Sequence, residues 1–280
     1  MMMSNHDYSD LKEFDMGKAL FEQDFAVETC DDENFVPFPC IKIETMEQLH
    51  SLFNKIFELE KEQTEFFYRG QYNSDWLLET TLERYIKDKG ICIEQAKNII
   101  GEYFKNNLRG NLIDQSLLNN TNYEEGRREI WAIGRHYDLK TPYLDWTKSI
   151  YVAMFMAYSE PEKFCDYSAI FMINHDYFIE CHGLVKKYWF TPKTDYYGRI
   201  TAQNGYLCEY TIRDHIKSKL KNNTRCAIKI YINNQLKQDI LDYLNHIGIN
   251  YTTMYPDLLG VVKYANNKLT EHLNRCGDLK

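Results

Sequence analysis

An α+β fold follows from three observations on this sequence of 280 residues. A 3–4 spacing of apolar residues at Met46, Leu49, Leu52, Phe53, Ile56 and Leu59 predicts an amphipathic helix, and it runs directly into an aromatic strand, TEFFYRG. The middle of the chain then reads as successive helices. Only beyond it do β-branched strands return, mixed with further helices, so the regular βαβ alternation of a doubly wound sheet is absent.

The elements follow in order. Residues 1–40 form an acidic, irregular N-terminal segment ending in two prolines, and the ordered domain, residues 41–280, starts near Ile41. Thr45 stands as a helix N-cap ahead of the first periodic run. After the aromatic strand, Asn73, Ser74 and Asp75 favour a turn through local side-chain to backbone bonds. Helices are predicted in WLLETTLERYIKD, ICIEQAKNIIGEYFKNNLRG and YEEGRREIWAIGRHYDL, the last ending before Pro142, which disfavours helical geometry in the residue ahead of it. A short run, PYLDW, leads through Thr147 to a fresh helix, KSIYVAMFMAYSEP. SAIFMIN and NTRCAIKIYI have the composition of central strands, Tyr206–Ile212 reads as another strand, and NQLKQDILDYLNHIG is a helix stopped by Gly248.

Composition narrows the function classes. The charged fraction of 26% and apolar fraction of 44% are those of a globular protein, and the net charge of −8 argues against a strongly basic nucleic-acid binder. The 22 Tyr, 15 Phe and 4 Trp suit either ordinary packing or amphipathic pocket walls. Eight cysteines lie far apart with no CxxC pair and no signal peptide ahead of them, which reads as free thiols in a reducing, cytoplasmic setting with no metal site. No apolar run reaches the ~18 residues of a membrane span.

Three stretches carry chemistry. In FFYRGQYNSDW, residues 66–76, Arg69 leaves an aromatic strand and is followed by Gly70. Such an arginine presents its planar fork to a phosphate or carboxylate, or else it snorkels from the sheet edge to a neighbouring acid. In GRHYDLKTPYLDWTKSIYVAMFMA, residues 134–157, the polar His136, Asp145 and Thr147 are embedded in apolar sequence. Thr147 occupies an N-cap position, a role compatible with an anion site at the same helix start. In GRITAQNGYLCEYTI, residues 198–212, Arg199, Gln203 and Gly205 precede a strand and suit a pocket rim or a simple turn.

Taken together these stretches resemble the FRG domain, named for its (Phe/Tyr)-Arg-Gly motif. YRGQ with SDW and LERY, RHYDLKTPYLDWT with VAMFMA, RITAQNGYL, and GINYTTMYPDLLGVVKYA appear in the family's order between about residues 42 and 266. Departures from the family pattern are Arg135 for Gln, Asp138 for Gly, Pro142 for Arg, Asn204 for Gln and Leu259 for Asp.

A more distant resemblance is to ADP-ribosyltransferase folds, in which a first strand carries Tyr-Arg-Gly, a second runs into an Ala-x-x-Phe-Ala helix and a third bears a catalytic Glu. This resemblance implies a split mixed β-sheet core with a helical insertion in the first half. It also implies NAD as substrate or ligand, with Arg69, His136, Asp145 and Gln203 as catalytic residues. Tyr68, Arg69, Gly70, Gln71 and Thr147 would bind the cofactor, and aromatic rings would stack on nicotinamide. Breaking the nicotinamide–ribose bond generates an oxocarbenium-like ribose that a carboxylate must stabilise. The third element offers Gln203 and Asn204 but no acid until Glu209, so Asp145 from the neighbouring segment is the alternative.

Two hypotheses of different class stand side by side. One is an enzyme that transfers ADP-ribose or hydrolyses NAD, a toxin or phage-defence effector with a protein target or regulator. The other is a non-catalytic module that senses a nucleotide-like small molecule or binds a modified macromolecule. Neither invokes a membrane, and the acidic charge disfavours nucleic acid.

Overall fold

The computed structural model describes residues 25–26, 28–30, 38–61, 65–112, 114–118, 124–159, 165–175, 189–195, 197–209 and 227–277. In chain order the elements are β1 (Glu28–Cys30), β2 (Phe38–Ile43), α1 (Met46–Lys61), β3 (Phe66–Gln71), α2 (Thr81–Ile86), α3 (Ile93–Asn107), α4 (Glu124–His136), β4 (Tyr143–Thr147), α5 (Ile150–Tyr158) and β5 (Tyr167–Asn174). They continue with β6 (Trp189–Phe190), α6 (Arg199–Ala202), β7 (Gly205–Glu209), β8 (Ala227–Asn233), α7 (Lys237–His246), α8 (Tyr251–Met254) and α9 (Leu258–Gly277). The chain divides into two compact units, one of Met1–Asp75, Lys148–Lys186 and Asp214–His246, the other of Trp76–Thr147, Lys187–Arg213 and Ile247–Lys280.

The first unit holds the strand order β1-β2-β8-β5-β3. β2 and β8 run parallel while the remaining neighbours are antiparallel, so the sheet is mixed. β1 and the start of β2 come from the N-terminal forty residues, and β2 runs across the Cys40–Ile41 boundary. The residue alternation of β3 decides what each motif side chain meets. Tyr68 is fully buried, and its hydroxyl donates to Glu60 of α1 at 3.0 Å. Gly70 faces the same way, and a Cβ there would lie 1.9 Å from the carbonyl oxygen of Ala153 and 2.9 Å from the Ala157 nitrogen. Glycine is thus required where β3 meets α5, a helix with seven of its nine residues buried, as its uninterrupted apolar sequence dictates.

The opposite face of this sheet carries Arg69. Register places Arg69 beside Phe171, Phe171 beside Lys229, and Lys229 beside Cys40, a row across four strands. Lys229 is 2% exposed, its ammonium 5.4 Å from the Phe171 ring centre and 4.8 Å from that of Tyr231.

The second unit contains the antiparallel order β4-β7-β6 with α2, α3, α4, α6, α8 and α9. Its core forms around α4, where Leu108, Leu112, Ile130 and Ile133 make one apolar cluster and Trp131, Ala132, Tyr143 and Leu207 another. Glu129, buried on the same helix, accepts the backbone N–H groups of Lys193 and Thr194, both at 2.9 Å.

Several sequence expectations shift by a few residues for local reasons. The helix expected from Trp76 starts at Thr81, because Thr80 and Glu83 form a reciprocal capping box. The helix expected to reach Leu139 stops at His136, since Asp138 takes φ +64°, the left-handed conformation that ends a helix. Its position is where the FRG pattern has Gly. The N-cap of α5 is Ser149, whose hydroxyl accepts from Val152 N–H, so Thr147 is not the cap. Gln203 lies in the turn after α6, the expected strand from Tyr206 starts one residue earlier at Gly205, and its residues 210–212 lie outside the described residues. Cys40, Cys92, Cys165 and Cys208 are free thiols. Among the described residues no helix is long and apolar enough to cross a membrane.

Candidate functional site

The sequence-predicted site residues fall into separate groups. Tyr68, Arg69, Gly70 and Gln71 are on β3 of the first unit, whereas His136, Asp145, Thr147 and Gln203 belong to the second. On β3, Tyr68 and Gly70 are taken up by packing against helices, while Arg69 and the buried Gln71 lie on the other face.

Within the second unit Asp145 is held by Arg135, whose Nε and NH2 groups each donate to one carboxylate oxygen. Arg135 also donates to the Thr141 hydroxyl at 3.1 Å. Burial lowers the guanidinium's proton affinity, but the Asp145 carboxylate outweighs that and raises it overall. This is the residue that departs from the family's Gln, and its fork closes on the acid that the sequence offered for chemistry. Glu209, the other offered acid, pairs with Lys97 at 2.9 Å.

Three other motif segments meet at one place. His136, at the end of α4, stacks on Tyr197 with ring centres 4.5 Å apart and planes 10° from parallel. Arg199, the first residue of α6, sends Nε and NH2 to a single oxygen of Asp257, Oδ2, at 2.9 and 2.7 Å. The His136 Nε2 lies 3.9 Å from the same oxygen. The second Asp257 oxygen accepts Gly260 N–H at 3.2 Å, so Asp257 also caps α9. Gln203 donates from Nε2 to the Met254 carbonyl at 2.9 Å, and its own carbonyl accepts the Thr147 hydroxyl at 2.7 Å. Thr147 and Gln203 therefore tie β4, the α6–β7 turn and α8 into one support for the cluster.

The protonation states follow from these neighbours. Burial first, and then the Arg199 charge, hold His136 below the ordinary imidazole range despite Asp257 and Asp195 pulling it upward. Burial pushes Asp257 up, but the Arg199 hydrogen bonds, Gly260 N–H and the Arg199 charge bring it below the ordinary carboxylate value. A neutral imidazole thus sits beside an ionised carboxylate, with Tyr137 donating to or accepting from the Tyr197 hydroxyl at 2.7 Å at the edge.

Tyr197 and Asp257 are not among the sequence-predicted site residues, and Arg199 is among them only as part of a pocket rim or turn. The signal for Arg199 and Asp257 was present in the sequence, in RITAQNG and in the Pro-Asp-Leu-Leu-Gly run, and Gly260 of that run is demanded by close packing. A Cβ there would lie 1.9 Å from the Tyr255 carbonyl oxygen. Tyr197 precedes the GRITAQNG segment with nothing local to mark it. Among the described residues no group of three or more His, Cys, Asp or Glu could hold a metal ion.

Fold and site together define an α+β protein with a polar cluster of one imidazole, one arginine–carboxylate pair and a stacked tyrosine, assembled from separated motif segments. Residues 64–166 match the family model of the FRG domain, and the chain carries an FRG domain there. The match includes β3, α4, β4 and α5, while Arg199 and Asp257 lie beyond it. No curated protein and no solved structure matches the chain.

Proposed function

We propose that this FRG-domain protein engages an NAD-like nucleotide through the His136–Tyr197–Arg199–Asp257 cluster and acts on it as an ADP-ribosyltransferase-like effector of the toxin or phage-defence kind. The observation that carries this reading is the pairing of an ionised Asp257 with a neutral His136 at the meeting point of three motif segments. In the reaction, nicotinamide departs with the electron pair of the C1′–N bond and leaves an oxocarbenium ribose. The Asp257 carboxylate stabilises that cation. A water or acceptor hydroxyl then bonds to C1′ and releases its proton to His136, which is available as a base because it is uncharged.

A second reading is a nucleotide-sensing or macromolecule-binding module without turnover. It is favoured by the engagement of both Asp257 oxygens, one by Arg199 and one by Gly260 N–H, which leaves the carboxylate committed to holding the site. Incubation of the purified chain with NAD, following nicotinamide release and heat of binding beside Asp257→Asn and His136→Gln, separates the two. Release lost in both variants supports the enzyme. Binding without release supports the nucleotide-sensing module, and a folded chain that neither binds nor cleaves NAD excludes both the enzyme and the nucleotide sensor.

A further inference from the structure

The C-terminal helix α9 is turned inside out. Its packed stripe, at the i, i+3, i+4 spacing from the buried Gly260, carries the half-buried Lys263, Tyr264, Asn267 and Lys268. Its apolar stripe faces outward instead, through Leu258, Val261, Val262, Ala265, Leu269 and Leu273. Leu258 is 78% exposed, and Leu269 and Leu273 are both 59% exposed. An ordinary surface helix has these faces the other way round, because burying the apolar one is what stabilises it.

We infer that α9 is the self-association surface of this chain, and that its occupant is α9 of a second copy. Three features select a second copy over another partner. The outward spacing 258, 262, 265, 269 steps by four, three and four residues, the repeat that keeps a seam facing a partner helix along its length. The seam carries no charged side chain, so two identical faces meet without like-charge conflict, although the chain as a whole has net charge −8. Leu258, Val261, Val262, Leu269 and Leu273 are 47–78% exposed, a contiguous apolar centre of the kind a self-complementary interface buries, with the flanking polar residues left to form the rim. At 20 residues, α9 is about 30 Å long, enough for several interlocking layers. The inference is independent of what the His136 cluster binds.

Sedimentation velocity of the full chain from about 1 to about 100 μM tests it. The wild-type chain is expected at twice its 33.4 kDa mass, and Val262→Glu, Leu269→Glu and Leu273→Glu at the single-chain mass with unchanged circular dichroism. Leu273→Glu, near the end of the helix, keeps the test available if the other two compromise folding. A wild-type chain that stays monomeric throughout overturns the inference and leaves the face to a different partner. A dimer that survives folded Glu variants overturns it equally.

Discussion

Gly70→Ala is the sharpest test of how the YRG motif works. In an extended strand with no positive φ, exchanging glycine for alanine ordinarily stabilises a protein by about 0.4–1 kcal/mol, through the unfolded chain. Here the sign should reverse. The new methyl would lie 1.9 Å from the Ala153 carbonyl oxygen and 2.9 Å from both the Ala153 carbon and the Ala157 nitrogen. Ordinary contact begins near 3.4 Å, so β3 and α5 must separate by more than an ångström, and both sides are backbone that no rotamer change can move. Overpacking of this kind costs about 1–3 kcal/mol, and the backbone clash places it at the upper end, for a net loss of about 2–3 kcal/mol. In a chain of 280 residues that is a Tm lower by roughly 3–5 °C. Gly205→Ala is the internal control, since its nearest neighbour, the Ile200 carbonyl oxygen, is at 3.5 Å, and its Tm should move by no more than about 2 °C. Thermal unfolding followed by far-ultraviolet circular dichroism reads both. A Gly70→Ala protein as stable as wild type would refute the close-approach account and return the motif glycine to a ligand-binding explanation.

Further outcomes follow from the second unit. Thr147→Val keeps the shape but leaves the Gln203 carbonyl without its 2.7 Å donor, and should cost about 1–2 kcal/mol in urea unfolding. In Glu129→Gln one of the two carboxylate oxygens that each accept a backbone N–H becomes an NH2 facing that N–H as a second donor, which should cost about 2–3 kcal/mol by the same measurement. His136 also makes stability depend on pH. Its folded value lies below the ordinary 6.5, so below pH 6.5 the unfolded chain binds more protons than the folded one. Stability should therefore be full above pH 6.5, fall as pH drops toward the lower folded value, and lose that slope in His136→Gln. Asp257 has the same sign at more acid pH, its contribution lost as pH falls below the ordinary 3.8.

What the sequence revealed depended on how local the determining physics was. The amphipathic α1, the buried α5 and the central strands β5 and β8 are written in periodicity and β-branched composition within each segment. His136 and Gln203 were recognisable from their motifs, and both support the cluster. The pairing of Asp145 with Arg135 was not legible, because Arg135 lies ten residues earlier at the end of a helix and pairing across a turn leaves no periodic trace. Lys229 could not be linked to Arg69 at all, since the row joining them exists only through the register of β3, β5 and β8. The N-cap lies two residues beyond the expected Thr147 because Thr147 and Ser149 are both capping residue types, and strand pairing of Thr147 with Gly205 leaves the role to Ser149. The left-handed Asp138 and Asn204, by contrast, coincide with two departures from the family pattern, and both residue types tolerate that conformation.

The most direct test of the central claim is titration of NAD into the wild-type chain, Asp257→Asn, His136→Gln and Asp145→Asn, with binding heat and nicotinamide release measured on the same samples. The account predicts that the Asp257 and His136 variants lose release while Asp145→Asn, whose acid is occupied by Arg135, retains it. Release that persists in Asp257→Asn and vanishes in Asp145→Asn would contradict it and move the chemistry to the other carboxylate.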